Sequence, residues 1–346
     1  MLTVIITLLA GALLLAAWIA SNVLQQLNKE SAFSGPAASF ENPINLDKVP
    51  TSSLFDEATK ALSIVIPAYN EEFRLGSTLD ETFSYLQRRR DQRGPYFTYE
   101  VIVVDDGSQD ATVGCAAKFT RKHGVDALRT LRLPQNRGKG YAVRAGVLVA
   151  RGQNILLMDA DGATRVSDLE RLESAAQDVM QQGKESLEPS GGSPPHQAFV
   201  LGSRAYLEES SKAKRTALRT FLMHGFHFLV ALVVGRSIQD TQCGFKLFTR
   251  DAARRIFPNQ RLQRWCFDVE LVHLAQSLNA SGCTIGLAGA RVLCIPMAEV
   301  QVTWTEIPGS KLRVTSVISM ALELVLVKVG YGTGAWPLHG HLDLQR

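Results

Sequence analysis

The chain has 346 residues, of which 46% are hydrophobic and 20% are charged, and its formal net charge is +4. This composition excludes a largely disordered or fibrous protein, and the length accommodates one large α/β domain with additional segments. The five cysteines form no C-x-x-C pair, and their odd number argues against a disulfide framework or a zinc site. We therefore expect a globular protein in a reducing compartment.

The amino-terminal region is the most hydrophobic part of the chain. Residues 2–20 contain no charged side chain, and as a helix they would span about 28 Å, close to the thickness of a bilayer core. The run is longer than the apolar part of a cleaved signal peptide, and no Lys or Arg precedes it. These features predict an uncleaved transmembrane anchor over residues 1–24. The first basic residue, Lys29, follows the anchor and favours a cytosolic location for the rest of the chain.

Composition divides the rest of the chain into three parts, the second of which contains an insertion. Residues 25–60 are rich in Pro and Ser and predict a stalk, and residues 61–310 carry the pattern of a folded domain. Within that domain, the Gly-, Pro- and Ser-rich residues 181–197 predict a flexible surface insertion. Residues 311–346 predict a membrane-proximal helical segment and tail.

Short apolar strands alternate with amphipathic helices in the first half of the domain. The strands are predicted over residues 62–66, 100–104, 128–133 and 154–158, with a helix after each of the first three. This alternation predicts a mostly parallel sheet that is covered by helices on both faces. Ligands of such sheets bind at the carboxyl ends of the strands, so we expect the functional residues directly after each strand.

Polar residues do follow the first two strands. The first strand ends in P-A-Y-N-E-E, which brings Pro67, Tyr69 and Glu71 to this position. The second strand ends in D-D-G-S, where Asp105 and Asp106 are adjacent and would repel each other without a cation or ligand donors to balance them. A helix cap explains one of these two acids but not both.

The next two strand ends carry a glycine-lysine loop and a second acid pair. The loop N-R-G-K-G places Lys139 at a helix amino terminus, where glycines let backbone N–H groups approach an anion. It matches neither a P-loop nor the dinucleotide-binding glycine fingerprint. After the fourth strand, Asp159 and Asp161 are two residues apart and project the same way in an extended chain. Such carboxylates suit a divalent cation that also binds phosphate oxygens.

These four strand ends together resemble the family 2 glycosyltransferases, which have the GT-A fold. The resemblance covers about residues 60–336, and it extends to L-G-S-R at 201–204, D-T-Q-C-G-F-K-L-F-T at 240–249 and R-W-C-F-D-V-E-L at 264–271. It implies a Rossmann-like α/β sheet and a Mg²⁺ or Mn²⁺ ion held by Asp159 and Asp161. It also implies two further acids near the reaction, Asp240 and Asp268. The substrate-binding residues that it implies are Pro67, Tyr69, Glu71, Asp105, Asp106, Lys139, Arg204, Arg219 and Lys246.

The later motifs are most similar to those of family members that transfer glucose from UDP-glucose to dolichyl phosphate. The resemblance therefore implies these two substrates, inversion at the sugar, an endoplasmic reticulum membrane location with a cytosolic catalytic domain, and no nucleic-acid partner. Three alternatives stay open at this point. They are another donor such as GDP-mannose or another polyprenyl phosphate acceptor, a non-catalytic membrane scaffold with the same fold, and a dehydrogenase, which the missing glycine fingerprint disfavours.

Two further segments are apolar without being long enough or uncharged enough to predict a second membrane span. Residues 221–234 are apolar nearly all round, and residues 314–329 contain Glu323 and Lys328. We expect residues 221–234 to form a core helix or a helix in the membrane interface, and residues 314–329 to form an interfacial or bundle helix.

Overall fold

The computed structural model describes residues 39–41, 48–185, 196–206, 217–278, 295–307 and 314–339. Its strands are β1 (Ser39–Glu41), β2 (Lys48–Pro50), β3 (Lys60–Ala68), β4 (Tyr99–Asp105), β5 (Leu128–Arg132), β6 (Gly152–Leu157), β7 (Phe199–Ser203), β8 (Lys246–Thr249) and β9 (Met297–Gln301). Its α-helices are α1 (Leu75–Arg93), α2 (Thr112–His123), α3 (Lys139–Leu148), α4 (Leu169–Glu185), α5 (Ala217–Val234), α6 (Arg250–Ile256), α7 (Phe267–Ser277) and α8 (Val314–Gly332).

Seven of these strands form one mixed sheet in the order β5-β4-β3-β6-β8-β7-β9. The pairs β5–β4, β4–β3, β3–β6 and β7–β9 are parallel, whereas β8 is antiparallel to both of its neighbours, β6 and β7. The predicted α/β class with a mostly parallel sheet is therefore confirmed. Because β8 runs opposite to the other strands of this sheet, it begins at the edge where they end.

The four predicted strands are present, and each of their ends lies within two residues of the prediction. One detail differs, because β3 does not stop at Pro67 but continues through it to Ala68. The neighbouring strand β6 pairs with β3 only as far as Val65, so Pro67 has a strand partner on one side alone, Val104 of β4. A missing N–H group is tolerated at such a position.

Helices cover both faces of the sheet, as the apolar strands require. On one face α1, α2 and α4 pack over a core that includes Leu79, Leu86 and Leu172. On the other face α3, α6 and α7 pack over a larger core to which α8 contributes Leu324 and Val327, both nearly inaccessible to solvent. Burial of this apolar surface is the main contribution to the stability of the fold.

Part of the predicted stalk over residues 25–60 packs on the domain instead. Strands β1 and β2 pair with each other, the Phe40 ring is 2% exposed, and the Arg129 guanidinium lies 4.3 Å from the centre of that ring. Leu54 is completely buried, and Arg250 donates hydrogen bonds to the carbonyl oxygens of Ser53 and Asp56. The Pro- and Ser-rich composition of this segment concealed the few large side chains that attach it.

Several other predicted segments fall partly or wholly outside the described residues. The anchor over 1–24 does so completely, and the insertion over 181–197 begins in the last turn of α4 and is not described between 186 and 195. Cys115, Cys243 and Cys266 are free thiols, and the other two cysteines lie outside the described residues. Within the described ranges, neither α5, α8 nor any other helix is long and apolar enough to cross a bilayer.

Candidate active site

The residues predicted from the strand ends lie along one edge of the sheet. β3, β4, β5 and β6 end there, and antiparallel β8 begins there with Lys246. The four loops that follow these strands and the start of β8 therefore bring polar side chains from distant parts of the sequence to the same place. This is the edge at which parallel sheets bind ligands.

The Asp106 carboxylate holds the glycine-lysine loop by accepting backbone N–H groups of the loop. One carboxylate oxygen accepts the N–H of Arg137 at 2.7 Å, and the other accepts the N–H of Gly138 at 2.8 Å. Burial raises the pKa of Asp106 even though these two N–H groups oppose the effect. Asp106 therefore shapes the loop, and the sequence alone did not reveal this role.

The next residue of the loop, Lys139, binds the second acid pair. Its ammonium nitrogen lies 2.6 Å from Oδ1 of Asp159. The other side of this carboxylate faces Gly244, where an added Cβ would lie 2.2 Å from Oδ2. Thus the loop from Arg137 to Lys139 joins the Asp105–Asp106 strand end to the Asp159–Asp161 strand end, and the two acid pairs flank one continuous stretch of chain.

Asp159 and Asp161 have opposite pKa shifts. Burial opposes ionisation of Asp159, but the charges of Lys139, Lys246 and Arg204 outweigh it and hold the pKa of this carboxyl below its usual value. Burial and the neighbouring Asp159 charge raise the pKa of Asp161, although its Oδ1 accepts the N–H of Ala163 at 3.0 Å. Added positive charge beside Asp161 would relieve this repulsion.

A buried ion pair lies next to this site. Lys246 is fully buried, and its Nζ is 2.6 Å from Oδ1 of Asp268 on α7 while also donating to the carbonyl oxygen of Cys243. Burial disfavours the charged form of Lys139. The charges of Asp159 and Asp268 outweigh this effect and raise the pKa of Lys139. The predicted residues Lys246 and Asp268 are therefore partners of each other.

Arg204 and Asp240 form a second ion pair at the same edge. The guanidinium donates two bonds of 2.8 and 2.9 Å to the two carboxylate oxygens, and the Arg204 N–H adds a third bond of 2.9 Å. The Arg204 guanidinium also lies 5.7 Å from the centre of the Trp304 ring. Nothing is described for the side chain of Arg219, which belongs to the first turn of α5.

A cleft of about 490 Å³ opens beside the ends of β3, β4 and β5. It is lined by Tyr69, Gly107, Ser108, Gln109, Arg132, Leu133, Pro134, Gln135 and Asn136. Gly107 has a φ of +72°, and a Cβ there would lie 2.7 Å from the backbone nitrogen of Asn136. The turn after β4 and the glycine-lysine loop are thus in direct contact, and only glycine fits between them.

The other predicted residues of this region contact the cleft indirectly or not at all. Asp105 is fully buried, with one oxygen bonded to the Ser108 N–H and the other 4.0 Å from Nε of Arg132. Glu71 receives two hydrogen bonds from the Arg74 guanidinium, at 2.7 and 2.8 Å. Pro67 lies inside β3 and does not line the cleft. Ligand contacts by these three residues stay predictions.

Several residues that build the site were missed from the sequence. The motif at 240–249 includes Gly244 without indicating a role for it, and Arg74 lies outside every motif. The segment before α7 also packs on the glycine-lysine loop, because the N–H of Tyr141 donates to the carbonyl of Gln263 at 3.0 Å. Gly244 lies between Cys243 and Lys246, both of which are buried. A glycine at such a position indicates that another group packs closely against the backbone.

The Asp159–Asp161 pair fits a cation that is completed by a ligand's own oxygens. Among the described residues no cluster of three or more His, Cys, Asp or Glu side chains is arranged to bind a metal by itself. Two carboxylates suffice for Mg²⁺ or Mn²⁺ when phosphate oxygens and water occupy the remaining positions. The raised pKa of Asp161 is consistent with this fit, because a nearby cation would favour the ionised form of this carboxyl.

The sequence model of the family Glycosyl transferase family 2 matches residues 63–257, which is more than half of the chain. The chain belongs to this family. It is similar to the dolichyl-phosphate β-glucosyltransferase of Homo sapiens, with 47% identity over 83% of this chain and 80% of the relative. The dolichyl-phosphate β-glucosyltransferase of Drosophila melanogaster is 46% identical over 86% of this chain and 83% of the relative. The protein is therefore a glycosyltransferase, as the motifs predicted.

Solved structures resemble the fold more distantly. Glucosyl-3-phosphoglycerate synthase from Mycobacterium tuberculosis, in complex with uridine diphosphate, superimposes with a TM-score of 0.44 and 15% identity. The alignment covers 79% of this chain and 81% of that one.

Proposed function

We propose that this enzyme transfers glucose from UDP-glucose to dolichyl phosphate with inversion, giving dolichyl β-D-glucosyl phosphate and UDP. The product would be a sugar donor for lipid-linked oligosaccharide synthesis in protein N-glycosylation. The observation that carries this proposal is the loop from Arg137 to Lys139, bonded to Asp106 on one side and to Asp159 on the other. It gives one continuous site for a nucleotide and its diphosphate. The similarity to dolichyl-phosphate β-glucosyltransferases supports the acceptor and the sugar.

The cleft beside β4 is the proposed site for the uridine. Its volume of about 490 Å³ is sufficient for a nucleoside, and Tyr69 supplies an aromatic ring for the base. The diphosphate would continue toward Lys139, at the amino terminus of α3, where positive charge and the helix dipole attract phosphate.

Asp159 and Asp161 would hold Mg²⁺ or Mn²⁺ beside the diphosphate. When bound, the ion would neutralise the charge that develops on departing UDP. Lys139 occupies Oδ1 of Asp159 in the structure, so its ammonium group is already placed where it can turn from Asp159 to a phosphate oxygen. In both arrangements the positive charge beside Asp159 stays close to the leaving group.

The chain's own groups account for the transfer step without a strong general base. The bond from glucose C1 to the UDP oxygen breaks with its electron pair on UDP, and an oxygen of the lipid phosphate forms the new bond to C1. A phosphate monoester is largely dianionic near neutral pH and already nucleophilic. Asp240 and Asp268 then act by holding Arg204 and Lys246, which supply positive charge for the acceptor phosphate.

A lipid acceptor requires that the site lie close to a bilayer. The predicted anchor over 1–24 would attach the protein to the endoplasmic reticulum membrane with its catalytic domain in the cytosol. Exposed apolar side chains on α5 and α8 support contact with that surface, namely Phe228 at 59%, Leu232 at 54% and Val329 at 38% exposure. Arg219 belongs to the same helix α5, and its role in binding a substrate phosphate stays a prediction from the sequence.

Donor and acceptor profiling tests the proposal. The full-length protein in detergent would be incubated with Mg²⁺ or Mn²⁺, with UDP-glucose or GDP-mannose as donor, and with dolichyl phosphate, a bacterial polyprenyl phosphate or no acceptor. We expect glucosylation of dolichyl phosphate from UDP-glucose and a β configuration at the product's anomeric carbon. Mannosyl product only, a different acceptor, or no product with any pair would each contradict the proposal.

Orientation has its own test. The sequon at Asn279 lies in the cytosol if the proposed topology is correct, so we expect no glycan there in the protein isolated from cells. Mass spectrometry of the peptide that contains Asn279 measures this directly. A glycosylated peptide would place the catalytic domain on the other side of the membrane.

A further inference from the structure

Helix α8 is attached to the start of α7 by a buried carboxylate. Oε2 of Glu323 accepts the N–H of Cys266 at 2.8 Å and the N–H of Trp265 at 3.3 Å, and Glu323 is only 7% exposed. Cys266 is the residue at the amino terminus of α7, and its own side chain does not cap the helix. Glu323 therefore supplies from another helix the acceptor that this helix start lacks.

The helix held in this way carries a residue of the site. Asp268 follows Cys266 by two positions, and its carboxylate is the partner of the buried ammonium group of Lys246. A shift of the first turn of α7 would therefore move Asp268 relative to Lys246. Because Lys246 lowers the pKa of Asp159, the shift would also alter the charge around the proposed metal ligand.

The segment before α7 is held against the loop that carries Lys139. The N–H of Gly140 donates to the carbonyl of Arg264 at 3.2 Å, next to the bond from Tyr141 to Gln263. A Cβ on Gly138 would lie 2.5 Å from the Gln263 carbonyl oxygen. This packing leaves no free space, so a displacement of residues 263–266 is passed directly to the loop.

A second buried acid attaches the carboxyl end of α8. The Tyr331 hydroxyl lies 2.6 Å from Oε1 of Glu270 on α7. Glu270 is fully buried and also accepts the N–H groups of Arg261 and Leu262 at 2.8 Å each. Helix α8 thus holds the residues between 261 and 270 at two points, and Val329 on the same helix belongs to the exposed apolar surface.

The geometry points to Glu323 as a positioning residue for the transfer step, which fixes the Asp268–Lys246 pair and the Lys139 loop through the amino terminus of α7. This inference rests on the proposed function for its kinetic consequence. Glu323 touches neither the cleft nor the acid pair, so its loss should lower kcat more than it weakens donor binding. Misplacement of reacting groups by about 1 Å can lower a rate by about a hundredfold.

The test compares Glu323→Ala, Glu323→Gln and the control Lys328→Gln, which removes an exposed charge from the same helix. We expect kcat with UDP-glucose and dolichyl phosphate to fall by about tenfold or more in Glu323→Ala, with KM for UDP-glucose changed less than about twofold. Glu323→Gln should recover most of this loss, because its amide oxygen accepts the same N–H groups in a weaker bond. Lys328→Gln should match the wild type.

Hydrogen exchange of the full-length protein supplies a readout that does not depend on activity. We expect faster amide exchange at Gly140, Tyr141 and Cys266 in Glu323→Ala, an intermediate rate in Glu323→Gln, and no change in Lys328→Gln. If Glu323→Ala does not fold, the intermediate rate expected of Glu323→Gln decides the question, and Tyr331→Phe, which removes the bond from α8 to Glu270, should also give faster exchange. Wild-type kcat together with wild-type exchange in the Glu323 variants would overturn the inference.

The two proposals fail in different ways. A wild-type protein that does not transfer glucose to dolichyl phosphate refutes the proposed function, and the exchange experiment still decides whether Glu323 holds the loop. An active wild type whose Glu323→Ala variant loses kcat only in proportion to its folded fraction, with unchanged exchange at Gly140, refutes the positioning role alone.

Discussion

The two acid pairs, Asp105–Asp106 and Asp159–Asp161, lie at the same edge of the sheet but differ in what they bind. Asp106 accepts two backbone N–H groups of the neighbouring loop, so its bonds are fixed by the fold. Asp159 instead binds the ammonium group at the end of a long side chain, that of Lys139. The same residue type thus builds the site through the backbone in one region and through an ion pair, where we propose a ligand binds, in the other. The difference shows that an acidic motif identifies a site but not the task of each acid.

The largest expected effect on activity comes from substitutions in the Asp159–Asp161 pair. Asp159→Asn or Asp161→Asn should lower glucosyl transfer by about a thousandfold, because a neutral amide cannot hold a divalent cation beside the diphosphate. The measurement is kcat/KM with Mn²⁺ titrated over a wide range. Asp80→Asn, which removes an exposed acid of α1, is the control. Near-normal turnover in both variants would remove the metal assignment.

A smaller effect is expected when the carboxylate is displaced rather than removed. Gly244→Ala would place a Cβ 2.2 Å from Oδ2 of Asp159, and we expect kcat to fall by about 10- to 100-fold. Gly114→Ala in helix α2 is the matched control, because its Cβ meets nothing within 4 Å. Comparison of kcat and melting temperature for both variants checks this. Equal activities would show that Asp159 moves without consequence.

Substitution of Asp106 in the other acid pair should instead lower stability and weaken donor binding. Asp106→Ala leaves the N–H groups of Arg137 and Gly138 without their acceptors, and we expect it to lower the free energy of unfolding by about 2 kcal/mol. KM for UDP-glucose should rise by about tenfold as the loop loses its shape. Asp126→Ala, an exposed acid, should change little. If Asp106→Ala lost only kcat, the contrast between the two acid pairs would be wrong.

The smallest expected effect is on the pH dependence of stability. It concerns Glu270, which belongs to neither acid pair. Burial raises its pKa from the ordinary 4.5 to about 7, although Tyr331 and two N–H groups oppose the effect. In this window the folded state keeps a proton that the unfolded state has released, so the free energy of unfolding should decrease as the pH rises from about 4.5 to about 7. Glu270→Gln should flatten this dependence in denaturant titrations at several pH values. Parallel curves for both proteins would refute the shift.

The sequence predicted the parts of this site that depend on local pattern. Apolar strands, glycine turns and the polar residues after each strand are all encoded within a few residues, so the four strand ends and the Lys139 loop could be located. That parallel strands end at one edge then predicted that Asp106, Lys139 and Asp159 lie close together. Each of these predictions uses residues that are close in the sequence and does not require knowing which strands are neighbours.

Pairing between distant residues could not be predicted in the same way. Arg204 and Asp240 are 36 positions apart, and nothing local indicates that they share two hydrogen bonds. Lys246 reaches the site because β8 runs against its neighbours, which a rule about residues that follow strands does not anticipate. In the sequence Glu323 indicates only that its apolar helix does not span a membrane, and nothing local shows that its partner is the start of another helix.

The attachment of α8 has a consequence for biosynthesis. During translation all seven strands of the sheet leave the ribosome before Glu323 and Tyr331 do, because α8 follows them in the chain. A nascent chain can therefore assemble the sheet while the amides of Trp265 and Cys266 still lack their acceptor. A ribosome-bound intermediate paused before α8 would contain the proposed metal-binding acids and yet lack the bonds that hold Asp268 and the Lys139 loop in register.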